Sequence, residues 1–505
     1  MNRREFLRIS GAVSVVSLAS SGFSLAQKLT AKTTRTNLLI IHTDEHNFRT
    51  LGCYRKTLPV PQAYVWGENV AVETPHIDWL AEHGALCTSF YGTTPVCSPS
   101  RSAWVSGRYP QNTPVITNDI PMNDEIITFA EILRQQGYET GYAGKWHLDG
   151  LGKPQWGPQR QFGFADNRYM FNRGHWKQLE DTPQGPRIAA RKNGKPSYSV
   201  AGADKKNFTT DFLADKTIEF IQTHKDKPFC YMVSFPDPHG PNSVRAPYDT
   251  MYKHLDFQKP ATAAKPDTNL PSWGKKQKRT ISADGMAKYF GMVKCIDDNV
   301  GKIIETLKNL KLMERTIVVF TSDHGDLCGE HGRDNKGVPY EASAKIPFVL
   351  YYPAKVKART IIHEALTCVD FLPTILSLME SPTAGKEQGR DVCSLFINGK
   401  APAEWKDVAF MRGTGQRNGK DDDNWLAVVS HRYKLVYSPQ DSPWLFDLEK
   451  DPDELINIYQ KPEYKETRKK LAQELLVYGK KYSDPRINVP HIRNELEQAL
   501  KSETK

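Results

Sequence analysis

The chain has 505 residues, with 68 Lys and Arg against 58 Asp and Glu, a formal net charge of +10, and 39% hydrophobic residues. This is ordinary globular composition, which excludes collagen, coiled coil and wholesale disorder, and at about 150 residues per domain it allows a large α/β domain with a smaller companion. The basic excess is spread along the chain, so it favours anionic partners without forming an arm for nucleic acid.

Residues 1–26 have the three parts of an export signal: a start containing Arg3-Arg4, an apolar stretch over 9–23, and Ser24-Leu25-Ala26 before Gln27. The arginine pair followed by Phe6-Leu7 is similar to a twin-arginine signal. It predicts cleavage after Ala26, carriage by the bacterial export machinery for folded proteins, and a periplasmic or secreted product. The apolar run is shorter than about 18 residues and diluted with Ser and Gly, so no stable membrane span is expected.

Residues 37–42 (NLLIIH) read as a buried strand that ends in Asp44-Glu45. Thr74 caps a short helix with Pro75 at its first position and Gly84 as its stop. Asn123 is expected to cap a helix carrying Ile126, Ile127, Ala130 and Leu133, stopped by Gly137. A strand over 139–143 delivers Gly144-Lys145-Trp146-His147. A helix over 211–224 precedes the alternating strand Phe229, Tyr231, Val233, Phe235, which runs into Asp237-Pro238-His239. A long helix over 287–310 leads to the strand 316–320 and then Asp323-His324.

Polar residues thus recur at the C-terminal ends of strands, where open α/β sheets place their ligand sites. The predicted fold is a large, mostly parallel or mixed central sheet flanked by helices over 27–395. A smaller antiparallel sheet with a closing helix over 396–505 follows from the short runs 426–429, 434–437 and 444–447 and the helical pattern of 463–480. Segments 185–203 and 253–279 read as long surface loops of the kind that shape pockets. Asp421-Asp422-Asp423 reads as a solvated loop.

The eight cysteines, at 53, 87, 97, 230, 295, 328, 368 and 393, contain no CxxC pair and are too few for a disulfide scaffold. One stands in an unusual setting: Cys97-Ser98-Pro99-Ser100-Arg101, followed by Ser106-Gly107-Arg108-Tyr109-Pro110. Other blocks with chemical content are Gly144-Lys145-Trp146-His147, Pro238-His239, and Ser322-Asp323-His324-Gly325-Asp326 with Gly329-Glu330-His331-Gly332 and Lys336. A last one is Trp444-Leu445-Phe446-Asp447-Leu448 with Asp451-Pro452-Asp453-Glu454. Asp44, Glu45 and Asp323 offer hard oxygen ligands, which select calcium or magnesium over zinc.

These blocks, in this order over about 37–458, resemble the type I sulfatases of the alkaline phosphatase-like superfamily. In that family Cys-x-Pro-Ser-Arg marks a cysteine that a maturation enzyme converts to formylglycine, an aldehyde hydrated in water. The resemblance implies a sulfuric ester hydrolase with formylglycine at Cys97. It also implies one divalent cation, calcium or magnesium, bound by Asp44, Glu45, Cys97, Asp323 and His324. Many family members have Asp-Asp in place of Asp44-Glu45 and Asn in place of His324. Imidazole is a soft ligand for calcium, so His324 is expected either on the ion or with its ring toward the sulfate or the formylglycine.

The resemblance further implies that a hydroxyl of the hydrated aldehyde attacks sulfur while Arg101 and the metal lower the charge cost. Lys145 and Lys336 clamp the sulfate, His239 protonates the leaving oxygen, and His147 deprotonates the remaining hydroxyl to expel sulfate. The seven other cysteines are expected as core residues or disulfide partners, at least one of them free. Sulfated carbohydrate is the expected substrate, with Arg412, Gln416, Arg417 and Trp425 as candidate subsite contacts. The alternatives are an arylsulfatase of broad specificity and a phosphonate monoester or phosphodiester hydrolase. A silent glycan-binding relative would be expected to lose some of Cys97, Arg101, Lys145, His147, His239 and Lys336, and all are present.

Overall fold

The structure, a computed structural model, describes residues 35–266, 270–415 and 424–501. The export-type segment 1–26, Gln416, Arg417 and the run Asp421-Asp422-Asp423 lie outside the described residues.

Eight strands form the central sheet: β1 (Asn37–Asp44), β2 (Ala85–Cys87), β3 (Glu139–Lys145), β4 (Asp166–Phe171), β5 (Phe229–Pro238), β6 (Thr316–Ser322), β7 (Phe348–Tyr351) and β8 (Thr360–Ile362). Their order is β8-β2-β7-β6-β1-β5-β3-β4. Strands β6, β1, β5, β3 and β4 are mutually parallel, and β7 runs against both β6 and β2.

The reason β1 is apolar throughout is visible in its neighbours. Leu38 and Ile40 join one core with Cys230, Met232, Ile317 and Val319, while Leu39 and Ile41 join the core on the opposite face with Tyr231, Val233, Val318 and Phe320. A sheet covered on both faces needs apolar side chains at successive positions. Helix Thr209–Thr223 and the 27-residue helix Ala283–Asn309, capped by Ser282, are among the covering elements.

In the C-terminal part, β9 (Ala409–Arg412), β10 (Leu426–Val429), β11 (Tyr433–Tyr437) and β12 (Trp444–Asp447) form an antiparallel meander. Leu426, Val428, Leu435 and Leu445 pack in one core with Leu471, Leu475 and Tyr478 of helix Lys465–Lys481. Ala427, Val429, Val436 and Phe446 pack in another with Tyr340, Ala342 and Ala344. The sheet therefore lies against the stretch that follows Lys336.

Several elements differ from expectation. The helix near 126 starts only at Phe129, because Thr128 and Glu131 form a reciprocal capping box; Asn123 does not cap it, and Ile126 and Ile127 precede it. Segment 185–203 is not a plain loop: Gly185–Ile188 pairs with Leu179–Thr182, and Arg191–Lys192 with Lys195–Pro196. A terminal helix, Pro490–Leu500, was not foreseen. All eight cysteines are free thiols, seven of them buried and Cys393 half-buried. The disulfide alternative for the seven is thus set aside: six are core side chains, and Cys393 packs half-buried against the core. Among the described residues no helix is long and apolar enough to cross a membrane.

Candidate active site

Because β1, β3, β5 and β6 run parallel, their C-terminal ends meet at one edge, carrying Asp44-Glu45, Lys145, Pro238-His239 and Asp323-His324. Thr43 pairs with Ser322 and Asp44 with Pro238. Gly144 lets β3 approach β5: its φ is +108°, and a Cβ there would sit 1.9 Å from the Ser234 carbonyl oxygen. Cys97 opens a helix, Cys97–Ser106, in which every residue is buried; Val96 is its extended N-cap and Gly107, at φ 65°, ends it. Pro99 falls in the first turn, where a missing N–H leaves no helical bond unmade.

Cys97 Sγ lies 3.3 Å from His324 Nε2, 3.5 Å from Lys145 Nζ and 3.7 Å from Asp44 Oδ1. Arg101, one helical turn on, binds both carboxylates: Nε donates to Asp323 Oδ2 at 2.9 Å and an amino group to Asp44 Oδ2 at 3.3 Å. Its other amino group donates to the Lys145 carbonyl at 2.7 Å and Ser234 Oγ at 2.8 Å. Burial opposes ionisation of Asp44, but Lys145, His239 and Arg101 outweigh it and hold the carboxyl well below the usual range. Burial and Asp44 push the Cys97 thiol up, yet Lys145 and Lys336 carry it below its ordinary value.

Two Lys–His couples stand beside this cluster. Lys145 Nζ ion-pairs with Asp44 and donates to His175 Nε2 at 2.9 Å. Lys336 Nζ pairs with Glu45 Oε2 at 3.0 Å and lies 2.7 Å from His239 Nε2. The His175 and His239 rings stack at 3.5 Å, 8° from parallel. Burial, then Lys145, drives the His175 pKa well below its ordinary value, so this ring is neutral. Glu45, expected as a ligand beside Asp44, instead places its carboxylate on His239, at 2.9 Å, and Lys336. Its φ of 63° turns the chain there, and its N–H donates to Asp323 Oδ1 at 3.1 Å. Burial opposes Glu45 ionisation, and His239 and Lys336 override it, holding the group far below its usual value.

His147, also at positive φ, is tied to the helix that begins at Cys97 by Ser98 Oγ, which donates to its carbonyl at 2.7 Å. His175, Ser98, Ser234 and Asp119 were missed. His175 follows the end of β4, so the strand-end rule would have found it had that strand been recognised. Two subsite candidates are corrected: Trp425 is 1% exposed, with Nε1 donating to the Gly337 carbonyl, and Arg412 is 1% exposed, paired with Asp484 at 3.1 Å. Both are interior, so neither side chain can stack on a sugar.

Residues 36–381 match the sulfatase family and residues 329–481 the C-terminal region of N-sulphoglucosamine sulphohydrolase. The chain belongs to the sulfatase family. An N-acetylglucosamine-6-O-sulfatase of Bacteroides thetaiotaomicron is 26% identical over 535 residues, 91% of this sulfatase and 89% of that protein. A solved structure described as a complex with its substrate D-glucosamine-2-N,6-O-disulfate superposes with TM-score 0.73 at 23% identity, covering 89% of this sulfatase and 99% of that chain. The phosphonate monoester hydrolase of Agrobacterium radiobacter superposes with TM-score 0.66 at 21% identity, covering 90% and 97%.

Sulfatases use a metal ion, and the donor set of this sulfatase fits a divalent cation. Donor atoms of Asp44, Cys97, Asp323 and His324 all lie within 4.8 Å of one another and all four residues are buried. His324 Nδ1 lies 3.0 Å from the Gly325 carbonyl, which turns Nε2, 3.3 Å from Cys97 Sγ, toward the group.

Proposed function

We propose that this sulfatase removes sulfate from saccharides, with residue 97 converted to formylglycine by a maturation enzyme and calcium bound by Asp44, Asp323, His324 and residue 97. The observation that carries the reading is the convergence of Cys97, two acidic ligands, Lys145 and Lys336 at one buried sheet edge. A formylglycine at 97 would supply the attacking oxygen, and a cation held by Asp44, Asp323, His324 and residue 97 would supply Lewis-acid stabilisation of developing negative charge. Lys145 and Lys336 donate to the nonbridging sulfate oxygens. His239 delivers a proton from Nε2 to the leaving oxygen, its Nδ1 held by the Gly240 carbonyl at 2.8 Å. His147 then takes a proton from the oxygen retained at position 97, which frees the sulfate. Arg101 has used four of its five N–H groups on Asp323, Asp44, Lys145 and Ser234, so it fixes the carboxylates and the turn of β3.

Saccharide specificity is supported by the likeness to the N-acetylglucosamine-6-O-sulfatase. Periplasmic delivery rests on the twin-arginine-type residues 1–26. Two experiments test the reading. Peptide mass spectrometry of active protein should show residue 97 lighter than cysteine by about 18 Da, and an unmodified thiol in an active preparation sinks it. A panel of defined sulfated saccharides, run beside an aryl sulfate and a phosphodiester, should show saccharide turnover; activity on the aryl ester alone removes the saccharide assignment.

A further inference from the structure

We infer that Asp119 is the positioning residue that sets the tautomer of His147, making Nδ1 the basic nitrogen of that ring. The inference rests on His147 acting as the base proposed above. Asp119 lies in an irregular stretch at φ 71°, a left-handed conformation that costs a non-glycine residue energy and is kept where surroundings impose it. Its neighbour Asn118 accepts the Ser98 N–H at 2.9 Å, so this stretch and His147 are both fastened to the first turn of the helix that begins at Cys97.

Asp119 Oδ1 lies 3.1 Å from His147 Nε2 and ion-pairs with Arg173 Nε at 2.8 Å; the Asp119 side chain is 5% exposed. A carboxylate ion-paired with a guanidinium can only accept. The hydrogen must therefore be on Nε2, and in the neutral ring the lone pair is on Nδ1. A second observation agrees: His147 Nδ1 is buried with no hydrogen-bond partner in the protein. A buried acceptor left without a donor is what a base awaiting its proton requires. The order of parts, a carboxylate on one ring nitrogen and the reacting oxygen on the other, is the logic by which a buried aspartate orients a catalytic imidazole in hydrolases generally.

The test uses full-length protein labelled with 15N-histidine, with the His147 resonance assigned by its loss in a His147→Gln variant. In unmodified protein, long-range 1H–15N spectra should show His147 with Nε2 protonated and Nδ1 bare; the reverse pattern in wild type overturns the inference without any variant. Asp119→Asn, whose amide can donate to Nε2, should move the ring toward the Nδ1–H form. In matured enzyme it should lower kcat by about 10²- to 10⁴-fold with little change in KM. Arg173→Gln keeps the Asp119–His147 contact and should leave the tautomer as in wild type. A folded Asp119→Asn protein with an unchanged His147 spectrum refutes the positioning role. If His147→Gln retains full turnover, the base assignment fails while the tautomer result stands, so the two failures are told apart.

Discussion

Opposite charges at the sheet edge hold one another ionised, and the identity of each partner decides what its residue can do. Asp44 and Asp323 are kept as carboxylates by Lys145 and Arg101, and these two acids are what a cation would meet; Glu45 spends its charge on Lys336 and His239 instead. His324, with Nδ1 anchored on a backbone carbonyl, presents Nε2 to the same group. His324→Ala should therefore weaken calcium binding by about tenfold or more in isothermal titration, and unchanged affinity would remove it from the ligand set. Residues 97, 101, 145, 239 and 336 were legible because each stands in a motif or at the end of an apolar run. Asp119 was not, because it reaches the site through side-chain contacts made across the fold and nothing in its own neighbourhood marks it; His175 was missed because the strand before it was not recognised. Trp425 misled for the opposite reason: an aromatic residue in a polar stretch resembles a sugar platform until its indole is seen bonded to Gly337.

Elements were recovered best where burial imposes a period. Strands β1, β5 and β6 were visible as apolar runs, since a doubly covered sheet admits little else. The start of helix Phe129–Gln135 was misplaced by several residues because its cap is decided by a side-chain exchange between Thr128 and Glu131, not by the apolar spacing. Thr128→Ala removes that cap and the hydroxyl bond to the Phe162 carbonyl, and should cost about 1–2 kcal/mol in denaturant unfolding with KM unchanged. A second helix start is capped from a distance. Asp297, on helix Ala283–Asn309, accepts the N–H groups of His76 and Ile77 at 3.0 and 2.9 Å, and burial pushes its carboxyl up to about 7. The unfolded group titrates near about 4, so between about pH 4 and pH 7 only the folded state keeps this proton and stability falls as pH rises. Asp297→Asn should flatten that slope, gaining on wild type as pH approaches 7; parallel curves would show that Asp297 is ionised throughout.

At the scale of the whole molecule, residues 36–505 form one compact unit, and the reason lies in how the small sheet is fastened. Lys434 of β11, fully buried, pairs with Glu341 at 2.6 Å and Glu454 at 2.8 Å and donates to the Pro339 carbonyl. It thereby ties β11 to the stretch just beyond Lys336. Lys434→Met leaves buried carboxylates short of a partner and should cost about 3–5 kcal/mol, lowering one shared thermal transition. Two separate transitions would mean that the C-terminal sheet is an independent appendage. The helix that starts at Cys97 has a consequence for how an active molecule is made. Cys97 is 2% exposed, and all ten residues of that helix are interior, so no second protein can wrap around the Cys-Ser-Pro-Ser-Arg stretch once the sheet has closed over it. An enzyme that alters this thiol must meet the nascent or unfolded chain. If residue 97 is altered as proposed, folding is the deadline for that alteration, and a stock of folded, unaltered protein can be rescued only by being unfolded first.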